Sequence, residues 1–94
     1  MEFEWDENKN LANQAKHGVS FEEAGEVFLD PDRLTKFDHS HSRQEARFFC
    51  YGKTAAGKIL TVRFTTRNNK IRIIGAGEWR FGREVYEQEN KKNQ

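Results

Sequence analysis

The chain has 94 residues and a formal net charge of +1, with 16 Lys and Arg against 15 Asp and Glu. A chain of this length buries only about 60–65% of the surface that it exposes when unfolded, so we expect one domain over residues 1–94 with a small core. Because the charge is nearly balanced, composition alone gives no argument for nucleic-acid binding. Such an argument depends on where the cations lie in the chain.

A single cysteine, Cys50, excludes an intramolecular disulfide and lies in an apolar run, which is typical of a reducing compartment. No apolar stretch approaches the ~20 residues of a membrane span, and the first residues lack the basic and then apolar layout of a signal peptide. We therefore expect a cytoplasmic protein.

The first predicted elements are a short strand at Phe3–Trp5, which we expect in the main sheet, and a helix over residues 7–17 that Asp6 caps. On a helical projection, Leu11, Ala12 and Ala15 share one side, and Lys9, Asn13, Lys16 and His17 share the other. This pattern predicts that the apolar side packs and the polar side faces solvent.

A sharp joint between two helices follows. Gly18 allows the left-handed conformation that ends a helix, and Ser20 with Glu23 forms the capping-box pattern of the next one. We expect this second helix to run from Phe21 to about Leu29 and to end before Pro31.

Short runs with alternating or continuous apolar residues predict four further strands, at residues 34–37, 47–54, 59–67 and 70–76. The loop at residues 38–42 holds His39 and His41. Two histidines and one aspartate are too few ligands for a convincing metal site, so we predict neither a metal nor another cofactor. The chain closes with a helix from about Glu78 to Glu89 and a frayed tail at residues 90–94.

Glycines mark the C-terminal third of the chain. Gly75 and Gly77 predict a loosened segment before the last helix, and Gly82 predicts a kink or a close approach because glycine costs a helix about 1 kcal/mol relative to alanine. The residues predicted to share the broad packed side of that helix are Trp79, Phe81, Val85 and Tyr86.

A two-residue turn at Asn68-Asn69 determines the register of the last two strands. The expected pairs are Arg67 with Lys70, Thr65 with Arg72, Phe64 with Ile73 and Arg63 with Ile74. One side of the hairpin is then apolar, and the other, here named the cationic face, carries Arg63, Arg67, Lys70 and Arg72. A four-residue loop before this hairpin would place Phe49, Tyr51 and Lys53 with the core; a three-residue loop with a bulge at Gly57 would place them on the cationic face.

Four neighbouring cations repel one another, so the cationic face is more stable when negative charge lies among them. Three sources remain open: RNA phosphate, the acidic surface of a partner protein, or Glu and Asp side chains from elsewhere in the chain on a solvated face.

The N-terminal run Trp5-Asp6, Lys9, Asn13, Lys16-His17-Gly18, Phe21-Glu22-Glu23-Ala24 resembles the BrnT toxin family, and the likeness extends through Phe28-Leu29-Asp30-Pro31 to Ile71-Arg72-Ile73-Ile74. The resemblance implies a RelE-like α+β fold with a short N-terminal strand, two helices, an antiparallel sheet of three to four further strands and a C-terminal helix. The chain departs from the family pattern at Gly77, since many members have an arginine after the Ile-Ile pair.

The resemblance also implies an activity and partners. It implies the toxin of a bacterial type II toxin–antitoxin system, a metal-independent endoribonuclease that cleaves RNA and inhibits translation. A BrnA-like antitoxin with a ribbon-helix-helix DNA-binding end would cover the cationic face, so DNA would be contacted only through the antitoxin. The alternative is a binding module that holds antitoxin or RNA on the same face without turnover.

RNA is cut without a metal when a base removes the 2′-OH proton, cations stabilise the phosphorane and an acid protonates the 5′-oxygen. The predicted catalytic residues are His17 as base, Arg67 and Arg72 as stabilising cations, and Tyr86 as acid or stacking group. The predicted substrate-binding residues are Lys16, Lys53, Arg63, Lys70, Trp79 and Arg80. Structural alternatives stand beside four of the catalytic and substrate-binding residues: His17 as a helix cap, Lys16 as a solvated cation at the end of the helix, Trp79 in the core and Arg80 in a surface ion pair.

Overall fold

A computed structural model describes residues 1–92 of the chain. The strands are β1 (Phe3–Glu4), β2 (Leu34–Phe37), β3 (Phe48–Lys53), β4 (Ile59–Arg67) and β5 (Lys70–Gly77). The helices are α1 (Glu7–His17), α2 (Phe21–Gly25) and α3 (Arg80–Lys92), with 3-10 turns at Glu26–Leu29 and His39–His41. The α+β class is confirmed. No helix within the described residues is both long enough and apolar enough to span a membrane.

The five strands form one sheet in the order β1-β5-β4-β3-β2. The sheet is mixed rather than purely antiparallel, because β1 pairs in parallel with β5 while the other neighbours are antiparallel. The N-terminal strand therefore joins the main sheet as predicted, in an orientation that alternation within a short segment does not specify.

The β4–β5 hairpin has the predicted register near its turn. Asn68 and Asn69 have φ values of 52° and 65°, as a two-residue turn of the primed type requires. The prediction that Arg63 faces Ile74 is wrong, because an irregularity between Arg63 and Phe64 adds one residue to β5 and brings Gly75 opposite Arg63.

The loop before β4 has the three-residue form. Gly57 has a φ of +88°, and the Thr54 N–H donates to the Lys58 carbonyl at 2.8 Å. Phe49 consequently faces Arg63, and Tyr51 faces Thr61. Phe49, Tyr51 and Lys53 thus lie on the same side of the sheet as the cationic face.

The main core lies on the opposite side of the sheet, under α2 and the 3-10 turn that continues it. Its buried members are Val19, Phe21, Ala24, Val27, Phe28, Cys50, Leu60, Val62, Phe64, Ile73 and Ala76. Part of the cationic side is covered by α3, where Tyr86 packs with Tyr51 and Ile59 in a second, smaller apolar cluster.

The predicted orientation of α1 is wrong: Leu11 of the apolar side is 58% exposed, while Asn10 is fully buried and Asn13 and His17 of the polar side are half-buried. The Asn10 Oδ1 accepts from the Phe21 N–H at 2.7 Å. The Asn13 side chain accepts from the Ala76 N–H at 3.2 Å and donates to the Ala76 carbonyl at 2.9 Å. These contacts explain the orientation, because α1 lies beside an edge of β5 whose backbone groups require polar partners.

The joint between α1 and α2 has the predicted local geometry. Gly18 has a φ of +69° and its N–H donates to the Gln14 carbonyl at 2.9 Å, while the Ser20 hydroxyl accepts from the Glu23 N–H at 3.0 Å. The reciprocal half of the capping box is replaced by an ion pair, since the Glu23 carboxylate lies 3.2 Å from the Lys58 Nζ.

At the C-terminal end, Gly75 and Gly77 are paired within β5, so the predicted loosening there is wrong. Gly82 makes the predicted close approach, because a Cβ at this position would overlap the Thr61 hydroxyl. The helix continues to Lys92, past the predicted start of fraying, since the Asn90 side chain donates to the Asp32 carbonyl at 3.2 Å. Residues 93 and 94 lie outside the described part of the chain.

The predicted packed side of α3 is only partly correct. Tyr86 is buried, whereas Phe81 is 71% exposed and Trp79 is 38% exposed. The reason is that the close approach at Gly82 turns the helix surface around Gly82 and Tyr86 towards the sheet, which leaves Phe81 on the solvent side.

Candidate active site

Three of the four side chains of the cationic face form ion pairs with glutamates. The pairs are Arg67 with Glu45 at 3.1 Å, Arg72 with Glu4 at 2.9 Å and Lys70 with Glu2 at 3.8 Å. Carboxylates from elsewhere in the chain therefore neutralise most of this face. Pairs at this degree of exposure contribute at most about 1 kcal/mol each, so a phosphate can replace the carboxylate at low cost.

Arg63 differs from the other three cations. Its guanidinium lies above Gly75, where a Cβ would stand 2.9 Å from the Arg63 Nη2. Its Nε is buried without a hydrogen-bond partner, and within residues 1–92 no carboxylate lies at ion-pair distance from it. Without a carboxylate partner, the charge of the Arg63 guanidinium remains available to an anionic ligand that approaches its Nη atoms.

His17 and Trp79 meet at the end of the sheet. Their ring centroids are 5.1 Å apart with the planes at 80°. The Trp79 indole lies over Gly77, where a Cβ would overlap the ring. Gly77 thus makes room for this indole, and Trp79 borders the surface rather than filling the core.

The two glycines bring these groups to one surface. Gly75 and Gly77 face the same side of β5 and are about 7 Å apart along the strand. Arg63 above Gly75 and Trp79 above Gly77 are therefore neighbours, and His17 adjoins Trp79. We name Arg63, Trp79 and His17 the candidate active site; it offers a cation, an aromatic ring and a titratable imidazole over a floor without side chains.

The structure does not bring all predicted catalytic residues together. Arg67 lies six residues along β4 from Thr61, which faces Gly77, and this corresponds to about 20 Å. His17 and Arg67 are therefore at opposite ends of the sheet. Arg72 pairs across the hairpin with Thr65 and lies between them.

The remaining predicted substrate-binding residues lie around the edge of this surface. Lys16 is exposed beside His17 at the end of α1, and Arg80 is exposed at the start of α3. Lys53 is exposed at the far end of β3. None of these three is close-packed, so each is free to move toward a bound polyanion.

Tyr86 occupies a structural position. It is 6% exposed, and its hydroxyl donates to the Asp30 Oδ2 at 2.6 Å. Burial, followed by this hydrogen bond, raises the pKa of Tyr86 well above its ordinary value. The hydroxyl proton is thus held in the hydrogen bond to Asp30, and Tyr86 is unsuited to act as the acid.

Asp30 in turn ties together three segments. Burial alone would raise the pKa of Asp30, but hydrogen bonds from the Tyr86 hydroxyl and the backbone N–H groups of Asp32 and Lys53 outweigh it and hold that pKa below its ordinary value. The carboxylate therefore links α3 to the segment before β2 and to β3.

Sequence reasoning missed two contributors to this surface. Phe49 faces Arg63, but the loop length left its side undetermined. Gly75 was placed one position away from Arg63, because no local pattern signals the bulge. Among residues 1–92, no three His, Cys, Asp or Glu side chains converge as a bound metal ion would require.

The fold and the site define a small α+β protein with a cationic sheet surface suited to a polyanion. A family described as "Ribonuclease toxin, BrnT, of type II toxin-antitoxin system" matches residues 5–81. The chain therefore belongs to the BrnT family of ribonuclease toxins. A comparison with curated proteins gave no match.

One solved structure extends the likeness to the fold. The 1.1 Å crystal structure of the Brucella abortus ribonuclease toxin BrnT aligns with a TM-score of 0.63 and 26% sequence identity. The alignment covers 84% of this chain and 96% of that one.

Proposed function

We propose that this chain is a metal-independent endoribonuclease with a RelE-like fold, which cleaves RNA and thereby inhibits translation. Family membership supports the ribonuclease activity. The observation that carries the site assignment is the Arg63 guanidinium above Gly75, which has no carboxylate partner within residues 1–92 and lies next to the Trp79 and His17 pair.

In this proposal His17 accepts the proton of the ribose 2′-OH. The 2′-oxygen attacks the adjacent phosphorus, the bond to the 5′-oxygen breaks, and the products are a 2′,3′-cyclic phosphate and a free 5′-OH that takes its proton from water. The phosphorane carries more negative charge than the bound substrate, and the Arg63 guanidinium stabilises that extra charge. Trp79 stacks on a neighbouring base.

The other cations hold the RNA strand. Arg72, Lys70 and Arg67 exchange their glutamate partners for phosphates, since surface ion pairs cost little to break. At the edge of this surface, Lys16, Lys53 and Arg80 attract the RNA phosphates electrostatically. When no RNA is bound, the Glu2, Glu4 and Glu45 carboxylates reduce the electrostatic repulsion among the cations of this face.

A BrnA-like antitoxin with a ribbon-helix-helix end is the proposed partner, covering the cationic face in the bacterial cytoplasm and alone contacting DNA. The second candidate function is a binding module that holds RNA or antitoxin without turnover. Three of the four cations are paired with glutamates, which favours this alternative. A cation that is already paired can still exchange its partner and bind RNA or antitoxin, and such binding does not require it to stabilise a transition state.

Replacing Arg63 separates the two functions. Because a transition-state stabiliser affects turnover more than affinity, Arg63→Gln should lower the rate of RNA cleavage roughly 10²-fold or more with little change in melting temperature. Arg67→Gln and Arg72→Gln should mainly raise KM. Cleavage by the purified variants is followed beside their thermal melts.

The control for this experiment is Arg83→Gln, an exposed arginine of α3 that pairs with Glu78 at 3.5 Å. If Arg63→Gln cleaves at the wild-type rate while Arg67→Gln or Arg72→Gln is inactive, the reaction takes place at the other end of the sheet. A wild-type chain that binds RNA but leaves it intact would establish the binding module instead.

A further inference from the structure

A second group of basic side chains lies in the segment that joins β2 to β3. His41, Arg43 and Arg47 line one cavity of about 470 Å³. The other residues that line it are Ser40, Gln44 and Glu45. None of these residues belongs to the candidate active site.

Hydrogen bonds hold this segment in one conformation. The Ser42 hydroxyl accepts from the Arg47 N–H at 3.0 Å, and the Thr65 hydroxyl donates to the Ala46 carbonyl at 2.7 Å. The Asp38 Oδ2, in a side chain that is 6% exposed, lies 2.9 Å from the His41 Nδ1. The second ring nitrogen of His41 is therefore left free, and the cavity is formed before any ligand arrives.

One hydrogen-bond donor of Arg47 lacks an acceptor within the described residues. Its Nε is buried without a partner within the described residues, and its Nη2 is 3.6 Å from Glu45. That carboxylate already accepts three charge-assisted hydrogen bonds from Arg67, at 3.1, 3.1 and 3.2 Å. With Glu45 paired to Arg67, the lining has a surplus of positive charge from Arg43 and Arg47, so the cavity favours an anion, which the Nη atoms rather than the buried Nε of Arg47 would contact.

The cavity continues the surface that leads from the candidate active site. Arg47 precedes β3 by one residue and is two residues from Phe49, which faces Arg63. Alternation along a strand places Arg47 on the Phe49 side, about 7 Å from it along the chain. A polyanion bound at Arg63 therefore reaches the cavity without crossing the core.

We propose that this cavity is a second phosphate-binding subsite, which holds an RNA phosphate outside the linkage that is cleaved. The proposal rests on the proposed ribonuclease function and adds a second site at which the protein binds the RNA strand. Arg43 and Arg47 supply the donors, His41 borders the cavity, and Asp38 is a positioning residue for His41. The subsite contributes to binding and takes no part in bond cleavage.

The test uses Arg43→Gln, because this arginine is exposed and its loss leaves the hydrogen bonds of the segment intact. On a long single-stranded oligoribonucleotide, KM should rise roughly 3- to 10-fold, the scale of one lost solvent-exposed hydrogen bond, with kcat and melting temperature unchanged. On a dinucleoside monophosphate, whose single phosphate occupies the cleavage site, KM should stay at the wild-type value. Arg83→Gln is the matched control on both substrates.

Binding of the same oligoribonucleotide gives an independent readout. The slope of log affinity against log salt should become shallower by about 0.7 in Arg43→Gln, as expected when one phosphate contact to a single strand is lost. This measurement needs no turnover, so it decides the subsite even if the wild-type chain proves inactive and the proposed function fails.

Three results would overturn the subsite. The first is an unchanged KM and salt slope for the long RNA. The second is an equal effect on the long RNA and the dinucleoside, since this would place Arg43 at the cleaved linkage. The third is weaker binding of the antitoxin with unchanged RNA binding, which would make the cavity a protein contact.

Discussion

At the scale of single residues, the position of Arg63 depends on the absence of a side chain at Gly75. Its guanidinium lies where the Cβ of residue 75 would be, and the Trp79 indole lies where the Cβ of residue 77 would be. The bulge in β5 brings Gly75, rather than Ile74, opposite Arg63. A glycine in a strand often marks such a close approach, and here two of them determine where the Arg63 guanidinium and the Trp79 indole lie.

Gly75→Ala tests this without removing a charge. The new Cβ would stand 2.9 Å from the Arg63 Nη2, at the mobile end of a long side chain. We expect the protein to remain folded and Arg63 to shift, so kcat should fall about tenfold or more, because a small misplacement of a catalytic group is costly. Single-turnover cleavage rates and thermal melts measure both effects.

The matched control is Gly25→Ala, where a Cβ would only make ordinary contact, at 3.7 Å, with the Phe3 ring. Wild-type cleavage by Gly75→Ala would mean that the reaction does not require Arg63 in its observed position.

At the scale of elements, α3 is attached to the sheet through two contacts of different kinds. Gly82 lets the helix backbone approach Thr61 and Tyr51, and the Tyr86 hydroxyl reaches Asp30 at 2.6 Å. The first contact is steric and the second is a buried hydrogen bond to a carboxylate. Because Trp79 immediately precedes α3, the placement of this helix also sets one border of the candidate active site.

Tyr86→Phe should destabilise the fold by about 1.5–3 kcal/mol at neutral pH, as the loss of a hydrogen bond to a charged group does. The effect should depend on pH. The pKa of Asp30 is lowered in the folded state, so the stability that it contributes is complete above its ordinary value of 3.8 and is lost as the pH falls through the folded value. Tyr86→Phe removes one cause of that lowering, so the difference from wild type should shrink in acid.

Urea unfolding of both proteins at pH 7 and near pH 3 measures this difference. Asp30→Asn and the double variant complete a cycle in which the two changes should not be additive. A destabilisation by Tyr86→Phe that is equal at both pH values would mean that the hydroxyl stabilises α3 independently of the Asp30 charge.

At the scale of the whole molecule, the sheet separates two tasks. One side carries the core under α2, and the other carries the cationic face, partly covered by α3. The backbone at Gly75 and Gly77 is buried beneath the Arg63 guanidinium and the Trp79 indole, so in the proposed mechanism these two side chains and His17, rather than the backbone, meet the RNA. Cations and a histidine on such a surface suffice for cleavage by the 2′-OH.

RNA cleavage by the purified chain should therefore persist in excess EDTA, because cations rather than a metal ion stabilise the phosphorane in the proposed mechanism. Cleavage of one RNA is measured with chelator, with added Mg²⁺ and with added Mn²⁺. Activity that disappears with chelator and returns with either metal would contradict the mechanism and would direct attention to Asp38, His39 and His41.

The sequence by itself determined the features that depend on neighbours in the chain. The caps at Asp6, Gly18 and Ser20 and the turn at Asn68-Asn69 are local, so residue type alone specifies them. The hairpin register near that turn follows for the same reason, and with it the grouping of four cations on one side.

Tertiary structure decided the features that depend on distant partners. The orientation of α1 follows from the contacts of Asn13 with Ala76, 63 residues away, which local amphipathicity cannot reveal. Likewise, Arg72 is neutralised by Glu4 from a parallel strand, while the bulge leaves Arg63 unpaired above Gly75. Whether each cation has a carboxylate partner is thus set by the packing of separate segments, because a carboxylate acts on a cation through space and not through the chain.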